Sequence, residues 1–286
     1  MNILLTGANG QIGQELVALL AKDSRHVLIP LSRVALDITD QAQVQRVLNH
    51  HRPDVVINTA AYTQVDPAEL EPEAAHAINA SGAEYLARTC QVLGVPLIHL
   101  STDYVFDGKQ DHPYSETDLP NPLNEYGYSK LRGEHLIQQH CSKHLIIRIT
   151  WVFGRYGKNF IKIMLQLMAE KETLSAVSDQ VACPTAARDV AKMLVQVSEQ
   201  LTPAFSQWGV YHYAGMPAVS RFEFAQAIMP IAQKRGGKIQ QVLPVTSDHF
   251  PTRAKRPLYS VLDLSNIKKV FGIEPSDWRL ALQQEF

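Results

Sequence analysis

The chain has 286 residues, 45% of them apolar, and a formal net charge of −1. That length suits one large or two modest domains, and the near-neutral charge implies no basic face, so nucleic acid is not the expected partner. No apolar run reaches the roughly 18 residues of a membrane span, and Met1 is followed too soon by Gly7 for a signal peptide, so the expected setting is the cytoplasm.

Cys90, Cys141 and Cys183 are far apart, odd in number and in no CxxC pair, which argues for buried thiols rather than disulfides or a zinc site. Residues 2–6 read as a buried strand, and residues 11–21 carry Ile12, Leu16, Leu19 and Leu20 at helical spacing. Strands follow at 26–31, 54–58, 95–100 and 145–148. Between them, helices are predicted over 40–49, with Val44, Val47 and Leu48 on one face, over 73–93 and over 128–139. Strands that are apolar without alternation are buried on both faces, and helices between them make right-handed crossovers. The pattern specifies an α/β fold with a doubly wound parallel sheet. Residues 1–150 form this dinucleotide-binding unit, with part of 175–215 returning to it, and 151–286 are mostly a smaller C-terminal substrate-binding domain. There a strand is expected at 210–213, a helix over 221–233, and loops over a site around Pro244, Pro251 and Pro257.

Gly7, Gly10 and Gly13 lie between the first strand and the first helix. In a Rossmann turn the first glycine permits the tight bend, the second lets backbone approach a pyrophosphate, and the third lets helix pack on strand. The helix N-terminus then offers free N–H groups to phosphate. The second strand ends in Ser32-Arg33, where a NAD-selective site usually has Asp or Glu. A hydroxyl and a guanidinium suit a 2′-phosphate better, so NADP is expected, with NAD as the second candidate. Asp37 and Ile38 are expected to flank the adenine.

Tyr126 and Lys130 are four apart, which places them on one helical face. Reduction of a carbonyl by hydride needs a proton for the oxygen, and a phenol ionises near pH 10 (about 10) unless a neighbouring ammonium favours phenolate. Lys130 is expected to lower Tyr126 in this way and to bond a nicotinamide ribose. Thr102 follows the fourth strand directly, at the carboxyl edge where such sheets bind ligands, and is placed to bond the substrate carbonyl. Tyr128 points away from Lys130 around the helix.

The glycine turn, Asn58-Thr59-Ala60-Ala61-Tyr62-Thr63, Ser101-Thr102-Asp103-Tyr104-Val105-Phe106 and the Tyr126–Lys130 pair resemble an extended short-chain dehydrogenase/reductase. Further segments narrow the resemblance: Arg148 to Gly154, Asn159-Phe160, Asp179-Gln180 with Pro184-Thr185, and Pro251-Thr252 with Arg256-Pro257. Through almost the whole chain, in order, these resemble the dTDP-4-dehydrorhamnose reductase family. The resemblance implies that NAD(P)H reduces the 4-keto group of a dTDP-linked sugar, for polysaccharide synthesis. It implies that Gly10, Gln11 and Ile12 line the pyrophosphate, Ala61, Tyr62 and Thr63 the nicotinamide half. Thr102, Tyr126 and Lys130 become the catalytic triad. Asp103, Tyr104 and Trp151 hold the sugar, and Arg256 pairs with the diphosphate.

Some members of that family hold magnesium between subunits through glutamates. Glu15 is present here, but Arg188 stands near where another glutamate is needed. No metal is expected, and Glu15 reads as a solvated helix residue. The dehydratases of this fold carry Thr-Asp-Glu; here Tyr104 follows Asp103, so elimination lacks its acid–base residue. The alternatives are reduction of another nucleotide-linked 4-keto-6-deoxy sugar, or a non-catalytic NADP-binding regulatory subunit. Monomer and homodimer are both open.

Overall fold

The five early apolar runs become β1 (Asn2–Thr6), β2 (Val27–Leu31), β3 (Val55–Asn58), β4 (Leu97–Thr102) and β5 (His144–Ile149) in a computed structural model that describes residues 1–21 and 23–286. Successive side chains point to opposite faces of the sheet, so each strand feeds two cores. Ile3, Leu5, Ile57, Ile98 and Ile147 face one side, where α1 (Gln11–Leu20) supplies Leu16 and Leu20. Leu4, Val56, Leu97 and Ile146 face the other. There α2 (Gln41–His51), α3 (Ala83–Leu93) and α4 (Glu125–His140) bring Val44, Leu48, Leu86 and Ile137.

Beyond β5 come α5 (Phe160–Glu170), β6 (Thr173–Val177), α6 (Ala187–Glu199), β7 (Gly209–His212), α7 (Arg221–Lys234) and β8 (Gln241–Val245). β7 joins the first sheet, whose order is β7-β5-β4-β3-β1-β2 with every pairing parallel. α6 packs its Val190 and Leu194 beside α1, and Ile267 and Phe271 from the chain's end enter the same core. A second lobe gathers α5, α7 and the parallel pair β6–β8 around Phe153, Met164, Phe224, Ile228 and Trp278.

The chain leaves β1 toward β2 on one side, then returns to β3 on the other. That reversal opens a crevice beyond the carboxyl ends of β1, β3 and β4, the place where such sheets bind ligands. Two local departures from the sequence reading matter. The helix expected over 73–93 is interrupted by a π-helical stretch, Ala77–Gly82, which turns the buried Asn79 toward the crevice loops. Pro244 lies inside β8 rather than in a loop.

Candidate active site

The glycine turn is built as its residues require. Gly7 has a φ of 71°, and a Cβ there would stand 2.6 Å from the backbone nitrogen of Ala60. Gly13 packs its backbone against Gly7 and Ala8, where no Cβ fits. α1 begins at Gly10 with no side-chain cap, so its first N–H groups open toward the crevice. That uncapped start fits an anionic pyrophosphate.

Asn9, Gly10, Gln11, Ile12, Ala61, Thr63, Thr102, Asp103, Tyr104, Tyr126, Lys130, Trp151 and Arg221 all line one cleft of about 570 Å³. The residues expected at the dinucleotide, the carbonyl and the sugar are therefore brought together from five separate segments. Tyr62 is not on the wall. Its ring is buried with Ala68 and Ala75 beneath Tyr126, and its hydroxyl donates to Glu71 at 2.9 Å. Ser32, Arg33, Asp37 and Ile38 also lie outside this lining, although the Ala8 N–H bonds the Leu31 carbonyl and holds the β2 end beside the turn. Arg33 is exposed and pairs with Asp37 at 3.4 Å; Ile38 is buried against Gly82.

Thr102 ends β4, and its hydroxyl accepts the Tyr104 N–H while donating to Asp103, both at 3.2 Å. Asp103 also accepts from Thr150 at 2.9 Å and from Ser260 at 2.6 Å, and burial pushes its carboxyl up to about 6. Tyr126 sits edge-on to Tyr104, with centroids 5.8 Å apart, and its hydroxyl meets that of Thr102. A Cβ on Gly127 would run into the Tyr104 carbonyl, so this glycine lets the helix approach the loop after β4. Asn124 caps α4 by accepting the Gly127 N–H at 2.8 Å and donates to the Lys255 carbonyl at 2.7 Å.

Lys130 is buried, donates to the Leu100 carbonyl at 2.7 Å and lies 3.2 Å from His99 Nε2. Asn58 Oδ1 accepts from Thr6 and from the Ala60 N–H, so its Nδ2 is the donor to His99 Nδ1. Burial pushes Lys130 down to about 8. The expected effect of Lys130 on Tyr126 is absent. Burial holds the phenol well above its ordinary value; the Thr102 hydroxyl opposes this, and the nearby Asp103 and Tyr104 add smaller upward pushes. The lysine nitrogen is turned to β4 instead of to the phenol.

Trp151 adopts a left-handed φ of 40°, a strained choice for an aromatic residue. The indole is not a bare platform, because the Arg221 guanidinium lies 3.6 Å from its ring centroid. Arg256 is engaged by Asp66, at 2.5 and 3.4 Å, and by the Ala254 carbonyl. Glu15 corrects the sequence reading most sharply. It is 3% exposed rather than solvated, and Arg155 grips it with two 3.0 Å bonds. The α1–α6 contact and the neighbouring C-terminal helix bury that turn of α1, and the guanidinium neutralises it. Arg188 lies 3.2 Å from Glu285.

Four features escaped the sequence. Asn79 clamps the backbone of Tyr62 from both sides and donates to Ser129, fixing the 59–63 loop to α4. Glu134 and Arg148 form a buried pair that also binds Ser101. His99 and Arg148 were detectable as polar residues inside apolar strands. Arg221 had no signal.

The fold and this Thr102–Tyr126–Lys130 cleft define an extended short-chain dehydrogenase/reductase. The chain belongs to the family described as RmlD substrate binding domain, whose model matches residues 1–286. It is 42% identical over 284 residues to the dTDP-4-dehydrorhamnose reductase of Aggregatibacter actinomycetemcomitans, covering 98% of this chain and 97% of that one. A crystal structure of a dTDP-4-dehydrorhamnose reductase from Clostridium acetobutylicum superposes with a TM-score of 0.93 at 36% identity, covering 100% and 98% of the two chains. That of the Bacillus anthracis enzyme, in complex with NADP, gives 0.92 at 37%, with the same coverage. Likeness to UDP-glucose 4-epimerase from Thermotoga maritima, at 20% identity, TM-score 0.79 and coverage of 100% and 97%, concerns the fold alone.

Proposed function

We propose that this chain reduces the 4-keto group of dTDP-4-dehydro-L-rhamnose to give dTDP-L-rhamnose, for cell-surface polysaccharide synthesis. The observation that carries it is one cleft joining Thr102, Tyr126 and Lys130 to the uncapped start of α1. Gly10, Gln11 and Ile12 would hold the cofactor pyrophosphate and Ala61 and Thr63 the nicotinamide half, with Lys130 on the ribose. The exposed Arg33, beside Ser32, favours a 2′-phosphate, so NADPH is preferred over NADH. When bound, NADPH supplies the hydride.

Tyr126 donates its proton to the carbonyl oxygen as charge develops there. A phenol held above its ordinary value stays protonated at neutral pH and is a ready acid toward an alkoxide. Thr102 orients the oxygen, and the Lys130 ammonium, still mostly charged below pH 8, stabilises the developing charge. Asp103 fixes Thr102, and Tyr104 and Trp151 form the wall beside the sugar. We place the enzyme in the cytoplasm, as a monomer or homodimer; no described helix is long and apolar enough to cross a membrane.

The test supplies dTDP-4-dehydro-L-rhamnose, generated in situ, with NADPH, and follows cofactor oxidation. Tyr126→Phe is expected to lower turnover by roughly 10²–10⁴-fold while NADPH still binds. Survival of turnover in this variant would remove Tyr126 as the acid. No oxidation by the intact enzyme would refute the substrate.

A further inference from the structure

Beside the catalytic cleft lies a larger one of about 770 Å³. Its walls are largely apolar, with Phe160, Ile163, Met164 and Phe250, and Gln180 provides an amide. Lys158 and Arg221 line both clefts and so mark their junction.

Arg221 is the first residue of α7. Its guanidinium stacks on Trp151 and lies 5.2 Å from the Phe160 ring. Stacking occupies the faces of the guanidinium and leaves its N–H groups free to donate in the plane. Among the described residues it forms no ion pair with a carboxylate, and Tyr104 is the first of the groups that favour its charge. Asp103 acts on it from farther away, but that carboxylate is bonded to Thr102, Thr150 and Ser260. Burial lowers Arg221 from its ordinary value, against the opposing effect of Tyr104 and Asp103. Arg256 also lines the larger cleft, but Asp66 neutralises it.

We infer that Arg221, at the junction of the two clefts, is the residue that binds the diphosphate of the nucleotide sugar. The base then lies in the larger cleft and the sugar in the smaller one, against Tyr126. Trp151 serves as the platform that flattens and aims the guanidinium, and Arg256 holds the 252–256 segment through Asp66. This inference rests on the nucleotide-sugar reading above.

The test titrates the NADP-loaded enzyme with dTDP and with thymidine by calorimetry. Removing charge-assisted bonds to a phosphate should weaken dTDP about 10- to 100-fold in Arg221→Met and leave thymidine unchanged. Arg221→Lys, which keeps the charge but loses the planar fork, should fall between. NADPH affinity reports that both variants are folded. An Arg221→Met protein that binds dTDP within about twofold of the parent, on the scale set by those bonds, overturns the assignment alone. An intact enzyme that binds NADPH but not dTDP overturns the nucleotide-sugar reading and this inference with it.

Discussion

Arg148→Met should destabilise the fold by leaving Glu134 buried without its partner. Glu134 and Arg148 are 1% and 4% exposed, with the carboxylate held by Arg148 Nη2 at 2.7 Å and Nε at 3.0 Å. With the guanidinium gone, that carboxylate keeps the Ser101 hydroxyl and little else. Breaking a buried pair from one side costs about 3–5 kcal/mol, because a charge stays in the interior without its partner. For a chain of 286 residues, that corresponds to a fall in melting temperature of roughly 5–8 °C. The position gives the loss a functional edge. Glu134 follows Tyr126 and Lys130 at successive four-residue steps, so the pair pins α4 to β4 through Ser101 and to β5 through Arg148. The assay is urea unfolding followed by circular dichroism, on Arg148→Met and on Glu134→Leu/Arg148→Met. An apolar pair of similar volume is often neutral, so the double variant should recover most of the stability. A single variant that loses less than about 1 kcal/mol, or a double variant no better than the single, would refute the buried-charge argument.

Two further outcomes follow from the site. Burial puts Lys130 at about 8, below its ordinary value, so its ammonium is lost as pH rises through that point. The rate constant kcat/KM should fall on the alkaline side of about pH 8, and Lys130→Met should be slower throughout and lack this limb; a limb that persists in the variant belongs to another group. Gly7→Ala combines a left-handed φ of 71° with a collision 2.6 Å from the Ala60 nitrogen, and neither partner is a flexible side chain. NADPH affinity, read by fluorescence titration, should drop by at least about tenfold, with about 1–2 kcal/mol of stability lost to the backbone alone; normal binding would mean that the turn has other geometries available.

The strands of the sheet, the glycine turn and the Thr102–Tyr126–Lys130 set were legible because each rests on a local rule. Period and length mark a strand, three glycines mark the turn, and four-residue spacing marks a helix face. The second lobe was less legible: its strands pair with distant ones, as Thr173–Val177 does with Gln241–Val245, and their burial depends on partners the local pattern does not name. Glu15 shows the same limit, for a charged residue on an amphipathic helix looks solvated until Arg155, 140 positions away, arrives beside it.

By itself, then, the sequence determined the doubly wound sheet, the position of the glycine turn and the helical spacing that puts Tyr126 and Lys130 on one face, since backbone conformation and helix periodicity follow from neighbouring residues. The tertiary structure decided the electrostatics. It turned Lys130 toward Leu100 and His99, raised the Tyr126 phenol by burying it, bound Arg256 to Asp66 and left Arg221 stacked on Trp151 between two clefts. Charge and desolvation act through space, so they depend on what the fold brings within a few ångströms rather than on what stands next in the chain.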